Sequence, residues 1–425
     1  LLAVPEAARA APGFDVERAT EAYMDLLSPE ARRRSDAYFE GGYVLTLVDW
    51  AWTLGVAALL LAGGRMRRLA DAVRARVRAS YLADTVTVAA ILLASSLLAL
   101  PLTIWVGHFR EHAYGLSNLS FAGFLGEWAK GLAVGIVMGA PALAAIYVVI
   151  RRAPRTWWLW GAALGSAFLV VGVLIAPVFI APLFNRYEKL EAGSLRDDIL
   201  SMARAHRIEA EDVYWFDASK QTKRVSANVS GIGATMRISL NDNLLRRSPR
   251  ESVLAVLGHE MGHYVLGHVR ELILKFSLVL LAGFAFVHFG FERVRRRLGS
   301  GWRLESLADA AGWPLLSALL ATFFLLATPV TNSIIRGDEA EADAFGLAAA
   351  GEPDGFAWSA VQLSEYRKMR PGRLEEIVFY DHPSGYDRIH RAMSWKAEHL
   401  DELAAREAAR SRPAETPTPE DEPSD

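Results

Sequence analysis

Six runs with almost no charge dominate this chain: Tyr43–Gly63, Thr85–Val106, Gly131–Ile150, Trp157–Ala181, Leu272–Phe291 and Gly312–Thr331. Each approaches or exceeds the roughly 20 residues a helix needs to cross the hydrocarbon of a bilayer. There the backbone polar groups have only one another as partners, so helices are the form such runs can take. Only Asp49 and Lys275 bring a charge into these runs. Asp49 facing a polar cavity and Lys275 reaching past a helix end are both compatible with spanning. A composition that is 52% hydrophobic agrees with a mainly α, polytopic membrane protein.

The connections between the runs differ in charge. Gly64–Ala83 holds six Arg, Arg151–Thr156 three and Glu292–Ala311 five, whereas Gly107–Lys130 has only Arg110 and Lys130. Alternating spans put the three basic connections on one side, which the bias of Lys and Arg marks as cytoplasmic. A formal net charge of −2 and the absence of a basic patch give no reason to expect a nucleic acid partner. With no cysteine in the chain, disulfides, thiolate catalysis and cysteine metal ligands are excluded.

The runs divide the chain. Residues 1–42 form a polar segment whose opening, LLAVPEAARAAPG, reads as the remainder of a removed signal or first span. Four spans follow within 43–181. Residues 182–270 have the composition of a soluble α+β unit, with a charged helix near Leu195–His206 and β-rich sequence at Val213–Phe216 and Arg224–Leu240. A membrane hairpin over 271–331 goes out and returns, so that 332–412 can rejoin that unit. The tail 413–425, rich in Pro and acidic residues, reads as disordered.

Inside an apolar stretch at the end of the soluble unit stand His259-Glu260-Met261-Gly262-His263. On a helix the two histidines share a face one turn apart and can reach one metal ion. Glu260, beside them, can take a proton from a water attacking a carbonyl, the arrangement of a zinc peptidase. A pair of hydrogen-bonded core histidines is the competing reading, but Glu260 is the one charge in Ser252–His268.

A catalytic zinc site needs a third protein ligand. Asp338-Glu339-Ala340-Glu341-Ala342-Asp343 follows the hairpin, and Glu339 and Asp343, four apart, share a helix face. Glu339 is then a candidate ligand and Asp343 a partner for a ligand imidazole, with Glu341 pointing away. A solvated acidic helix start is the plainer reading of such a run. A further turn, Asp381-His382-Pro383-Ser384-Gly385-Tyr386-Asp387-Arg388, offers an imidazole and a guanidinium that could stabilise an oxyanion.

HEMGH, GDEAEADAFG and DHPSGYDR, with IAPLFNRYEKLEAGSLRDDI and RISLNDNLL in the same order, resemble the type I CAAX prenyl endopeptidase family of membrane zinc metalloproteases. The resemblance spans about Asp15 to Ala397. It implies one Zn²⁺ per chain held by His259, His263 and Glu339, with Glu260 as general base, Asp343 behind a ligand, and His382 and Arg388 near substrate and oxyanion. It also implies a ring of seven spans enclosing a chamber, of which six are visible here, capped by a small α+β zinc metalloprotease domain. Where the family has Asn-Ala-Tyr in a substrate-pairing edge strand, this chain has Ser226-Ala227-Asn228, followed by Val229. Main-chain pairing needs no particular side chain, so a substrate can still add there as a strand.

The expected function is a zinc-dependent membrane endopeptidase acting on extended peptides or membrane-associated proteins, in CAAX-type processing or in membrane-protein quality control. The Arg- and Ala-rich composition points to a bacterial inner membrane, and the loop charges to an extracytoplasmic catalytic domain. Alternatives are an intramembrane-cleaving metalloprotease and a metal-binding scaffold without catalysis. The oligomeric state is not legible in the sequence.

Overall fold

The computed structural model describes residues 2–231 and 236–410; the tail expected over 413–425 lies outside the described residues. Helices are numbered in chain order, with single-turn pieces left unnumbered.

After α1 (Val16–Met24), α2 spans Pro29–Leu61. It starts well before the apolar run at Tyr43, because Ser28 accepts the N–H of Ala31 and Pro29 takes the first helical position. The run from Tyr43 is thus the membrane part of a longer helix. Gly63 and Gly64, both at positive φ, turn the chain sharply into α3 (Arg65–Arg74). The next spans are α4 (Ser80–Ile104), α5 (Phe121–Arg152, capped by Ser120) and α6 (Trp157–Ile175).

The soluble unit holds a four-stranded sheet in the order β1-β2-β4-β3. Its strands are β1 (Tyr187–Lys189), β2 (Val213–Phe216), β3 (Ala227–Ser230) and β4 (Arg237–Asn241). β2 and β4 run parallel; β1 and β3 are antiparallel edges. Between β1 and β2 lies α7 (Ser194–Ala205), and β4 leads through α8 (Asp242–Arg247) into α9 (Arg250–Val265), which carries HEMGH. Ile199, Val213, Ile238, Leu240, Leu257 and Met261 form the core between sheet and helices.

Two long helices return through the membrane: α10 (His268–Leu298) and α11 (Trp313–Ala350). The last span and the acidic motif are one continuous helix, so Glu339 and Asp343 stand on the same rod that leaves the bilayer. The chain ends in α12 (Pro353–Leu363), α13 (Arg373–Phe379), α14 (Gly385–Glu398) and α15 (Leu400–Arg410).

Six helices among the described residues are long and apolar enough to cross a membrane. Packed in the sequence α2, α4, α5, α6, α10, α11 and back to α2, they close a ring. The most deeply buried side chains of the ring include Leu61, Ile91, Tyr147, Trp157 and Phe291, together with Met66 on α3. They cluster where the three arginine-rich connections meet. There Arg67 reaches Glu305 at 2.8 Å and Asp309 at 3.3 Å, and Arg151 pairs with buried Asp84. The expected mainly helical, polytopic architecture with a small sheet-bearing cap is borne out.

Candidate active site

Two helix crossings assemble the site. Where α9 meets α11, a Cβ on Gly258 would lie 2.9 Å from the Gly346 carbonyl oxygen, and one on Gly262 would lie 3.2 Å from the Ala342 Cα. Gly258 and Gly262, and Ala342 and Gly346, are each four apart, so two small-residue faces let the backbones come close. That approach sets Glu339 and Asp343 beside the two histidines. Where α9 meets α12, Gly355 abuts the Glu251 backbone and Ser252 Oγ donates to the Gly355 carbonyl at 2.9 Å.

His259 Nε2 and His263 Nε2 are 3.2 Å apart, and they lie 3.2 and 3.4 Å from the two oxygens of Glu339. One ligand atom from each of the three residues falls within 4.8 Å of the others. His382 Nε2 adds a fourth approach, 3.2 Å from Glu339 Oε2. Yet Glu339 Oε2 is buried with no donor aligned on it among the described residues. Three potential ligand atoms crowded on one point suit a cation. Burial works against charge on His259, but its contacts to Asp343 and Glu339 outweigh this and push its pKa up to about 9. Surroundings that favour a proton there favour a metal cation equally.

Asp343 is fully buried behind this group. Its Oδ1 is 2.8 Å from His259 Nδ1, an ion-pair distance whose angle falls short of a good hydrogen bond. Arg388 donates to Asp343 through Nε at 3.0 Å and Nη2 at 2.6 Å, and Arg391 donates through Nη1 at 3.2 Å. Both arginines stand on α14, whose first turn is fixed by Ser384 accepting the Asp387 N–H. His382, in the turn before it, contacts Asp381 at 2.8 Å and Arg367 at 3.4 Å. Burial holds the His382 imidazole below its ordinary range, against the pull of Asp381.

Glu260 lines a cavity of about 250 Å³ together with His259, His382 and Arg388. Burial pushes the Glu260 carboxyl up, and the neighbouring histidines draw it part of the way back. The cavity lining also includes apolar Val225, Ala227, Val256, Phe356 and Leu363, and polar Ser226, Ser359, Tyr366 and Arg367. Asn228 and Val229 continue along β3 without lining it. Asn241 N donates to Ser226 O, so by ladder alternation Asn228 and Ser230 also pair inward on β4. Ala227 and Val229 therefore turn their N–H and C=O to the open edge.

Seven residues singled out in the sequence, His259, Glu260, His263, Glu339, Asp343, His382 and Arg388, thus converge. Sequence reasoning missed the glycines that permit the crossing, although their i,i+4 spacing was the available signal. It missed Arg367 and Arg391, and it missed buried His268, whose Nδ1 lies 2.9 Å from His263 Nδ1.

A ring of membrane helices carrying such a constellation on a sheet-bearing cap defines an integral-membrane metalloendopeptidase. Residues 189–396 match the family described as peptidase family M48, and residues 15–186 match the CAAX prenyl protease N-terminal family of five membrane helices. An uncharacterised metalloprotease of Bacillus subtilis is 30% identical over 340 residues, covering 79% of each chain. The CAAX prenyl protease 1 of Saccharomyces cerevisiae is 24% identical, over 69% of this chain and 68% of its own. The crystal structure of S. mikatae Ste24p shares the fold, with a TM-score of 0.65 at 20% identity, covering 89% of this chain and 86% of that one. The chain belongs to peptidase family M48, in its CAAX prenyl protease-like branch, as the motifs in the sequence implied. It is a multi-span membrane hydrolase acting on peptide or protein substrates, in a family that uses a divalent metal.

Proposed function

We propose that this protein is a zinc-dependent endopeptidase of a bacterial inner membrane, with its catalytic domain on the extracytoplasmic side. The observation that carries the reading is the meeting of His259, His263 and Glu339 at one point, with His259 also lining a cavity that holds Glu260 and reaches Ser226 and Ala227 beside a sheet edge. Zinc, held by these three residues, would supply Lewis-acid polarisation of the scissile carbonyl. Glu260 takes the proton of the attacking water and returns it to the leaving amine. The free edge of β3, where Ala227 and Val229 turn outward while Ser226 and Asn228 pair inward, holds the substrate extended as an added strand. His382 places an imidazole within reach of the developing oxyanion. Arg388 spends two donors on Asp343, so its main work is to hold that carboxylate against His259, with its positive charge close to the cavity.

Relatives named CAAX prenyl protease support processing of prenylated C-terminal peptides, and quality control of membrane proteins remains the second substrate role. The cavity, which has apolar walls beside its polar and charged groups, is compatible with either. The test is zinc content together with cleavage of a quenched peptide by detergent-purified protein, for wild type and Glu260→Gln. One zinc in both, with chelator-sensitive cleavage only in wild type, is expected, the loss being about 10²-fold or more. Equal turnover in the two would remove Glu260 from the mechanism, and absence of zinc from both would remove the ligand set.

A further inference from the structure

His268 has no part in the site described so far, yet it is 1% exposed and lies against it. Gly267, at φ +75°, makes the left-handed turn between α9 and α10 that swings His268 back beneath His263. The two imidazoles meet edge to face, with their Nδ1 atoms 2.9 Å apart. On its other side, His268 Nε2 lies 3.4 Å from Oε2 of Glu341, whose side chain is 67% exposed. Glu341, on α11, is the carboxylate that the helical spacing turned away from the metal ligands.

Two ring nitrogens at that distance need one hydrogen between them, since facing lone pairs or facing N–H groups repel. His263 Nε2 faces His259 and Glu339. If that nitrogen is a metal ligand, the neutral ring carries its single hydrogen on Nδ1 and donates it to His268 Nδ1. The hydrogen of His268 then sits on Nε2, directed at Glu341. Every group in the series has one consistent role.

We propose that His268 and Glu341 form an outer relay that fixes the tautomer and ring orientation of His263, while Asp343 stands behind His259. His268 is a positioning residue, and Glu341 anchors it from the surface. The two histidine ligands are thereby tuned differently: one by a fully buried carboxylate clamped by two arginines, the other by a neutral ring backed by an exposed carboxylate. A ligand imidazole whose distal N–H is satisfied is more basic and loses less freedom on binding metal. The inference rests on the proposed zinc site.

The experiment is a zinc titration of metal-freed protein against a chromophoric chelator, for wild type, His268→Leu, His268→Asn, Glu341→Gln and Glu341→Ala, alongside thermal unfolding of the metal-free forms. His268→Leu is expected to lose roughly 10- to 100-fold in zinc affinity. His268→Asn, whose Oδ1 keeps an acceptor near the position of Nδ1, is expected to recover most of it, and Glu341→Gln to lose several-fold. Cobalt-substituted His268→Leu should show a shifted d–d absorption band, which a purely structural role for His268 would not produce. Zinc affinity within about twofold of wild type in His268→Leu would overturn the relay while leaving the zinc site standing. Should His268→Leu not fold, an unchanged affinity in Glu341→Ala, which removes the acceptor altogether, overturns it instead. A wild type that binds no zinc would remove the site and the relay together.

Discussion

Gly346 and His259 are packed so closely that a Cβ on Gly346 would lie 2.6 Å from the His259 backbone nitrogen. That contact belongs to the crossing that puts the carboxylates of α11 within reach of the histidines of α9. Gly346→Ala is therefore expected to force the helices apart, costing about 1–3 kcal/mol as overpacking does. It should weaken zinc binding as well as stability. Thermal unfolding and zinc titration of the same preparation test this; a variant with wild-type values in both would show that the crossing has slack.

Asp343→Asn removes a buried charge that faces Arg388, Arg391 and His259 at once. Breaking a buried pair from one side costs about 3–5 kcal/mol, because the remaining charges lose their counterion. Zinc affinity should fall roughly 10- to 100-fold with the loss of the group behind His259. The double variant Asp343→Asn with Arg388→Met should be less destabilised than the sum of the single ones, and strict additivity would argue that the pair is not coupled.

Val229→Pro deletes an N–H that β3 turns outward and leaves its ladder to β4 intact. The expected result is a fall in kcat/KM of about fivefold, from a lost hydrogen bond of roughly 1 kcal/mol. Zinc content and melting temperature should change little. A variant with unchanged kcat/KM toward long peptides would mean that substrate does not add to this edge.

Asp212, at the start of β2, is held below its ordinary value of 3.8 by the Lys189 hydrogen bond and then by Arg196, while burial pulls the other way. A depressed carboxylate stabilises the fold above its unfolded pKa and ceases to do so as pH falls through the folded one. Wild type should therefore be more stable than Asp212→Asn near neutrality, and the difference should shrink as pH falls below the ordinary value of 3.8 and vanish once it has passed the depressed folded one. Unfolding curves at both ends of that range measure it.

The parts of this structure visible in the sequence are those that depend on short spacing. HEMGH and the pair Glu339 and Asp343 are i,i+4 patterns, so one helical turn was enough to align them. The spans were legible as uncharged runs, but their starts were not: Pro29 to Gly42 is polar and still helical, because Ser28 caps it and continuity with the membrane segment carries it along. The partners of Arg388 were illegible because they depend on where α14 docks on α11. His268 was hidden because its approach to His263 depends on one left-handed glycine between two helices.

The proposed ligands come from both sides of a membrane hairpin. His259 and His263 precede α10, and Glu339 arrives more than 70 positions later, at the far end of α11. A growing chain therefore carries two histidines and a general base but no complete metal cage until its final span has been threaded and has come back. On that ligand set, proteolytic competence is withheld from every partly inserted form, and the hydrolase enters the bilayer inert.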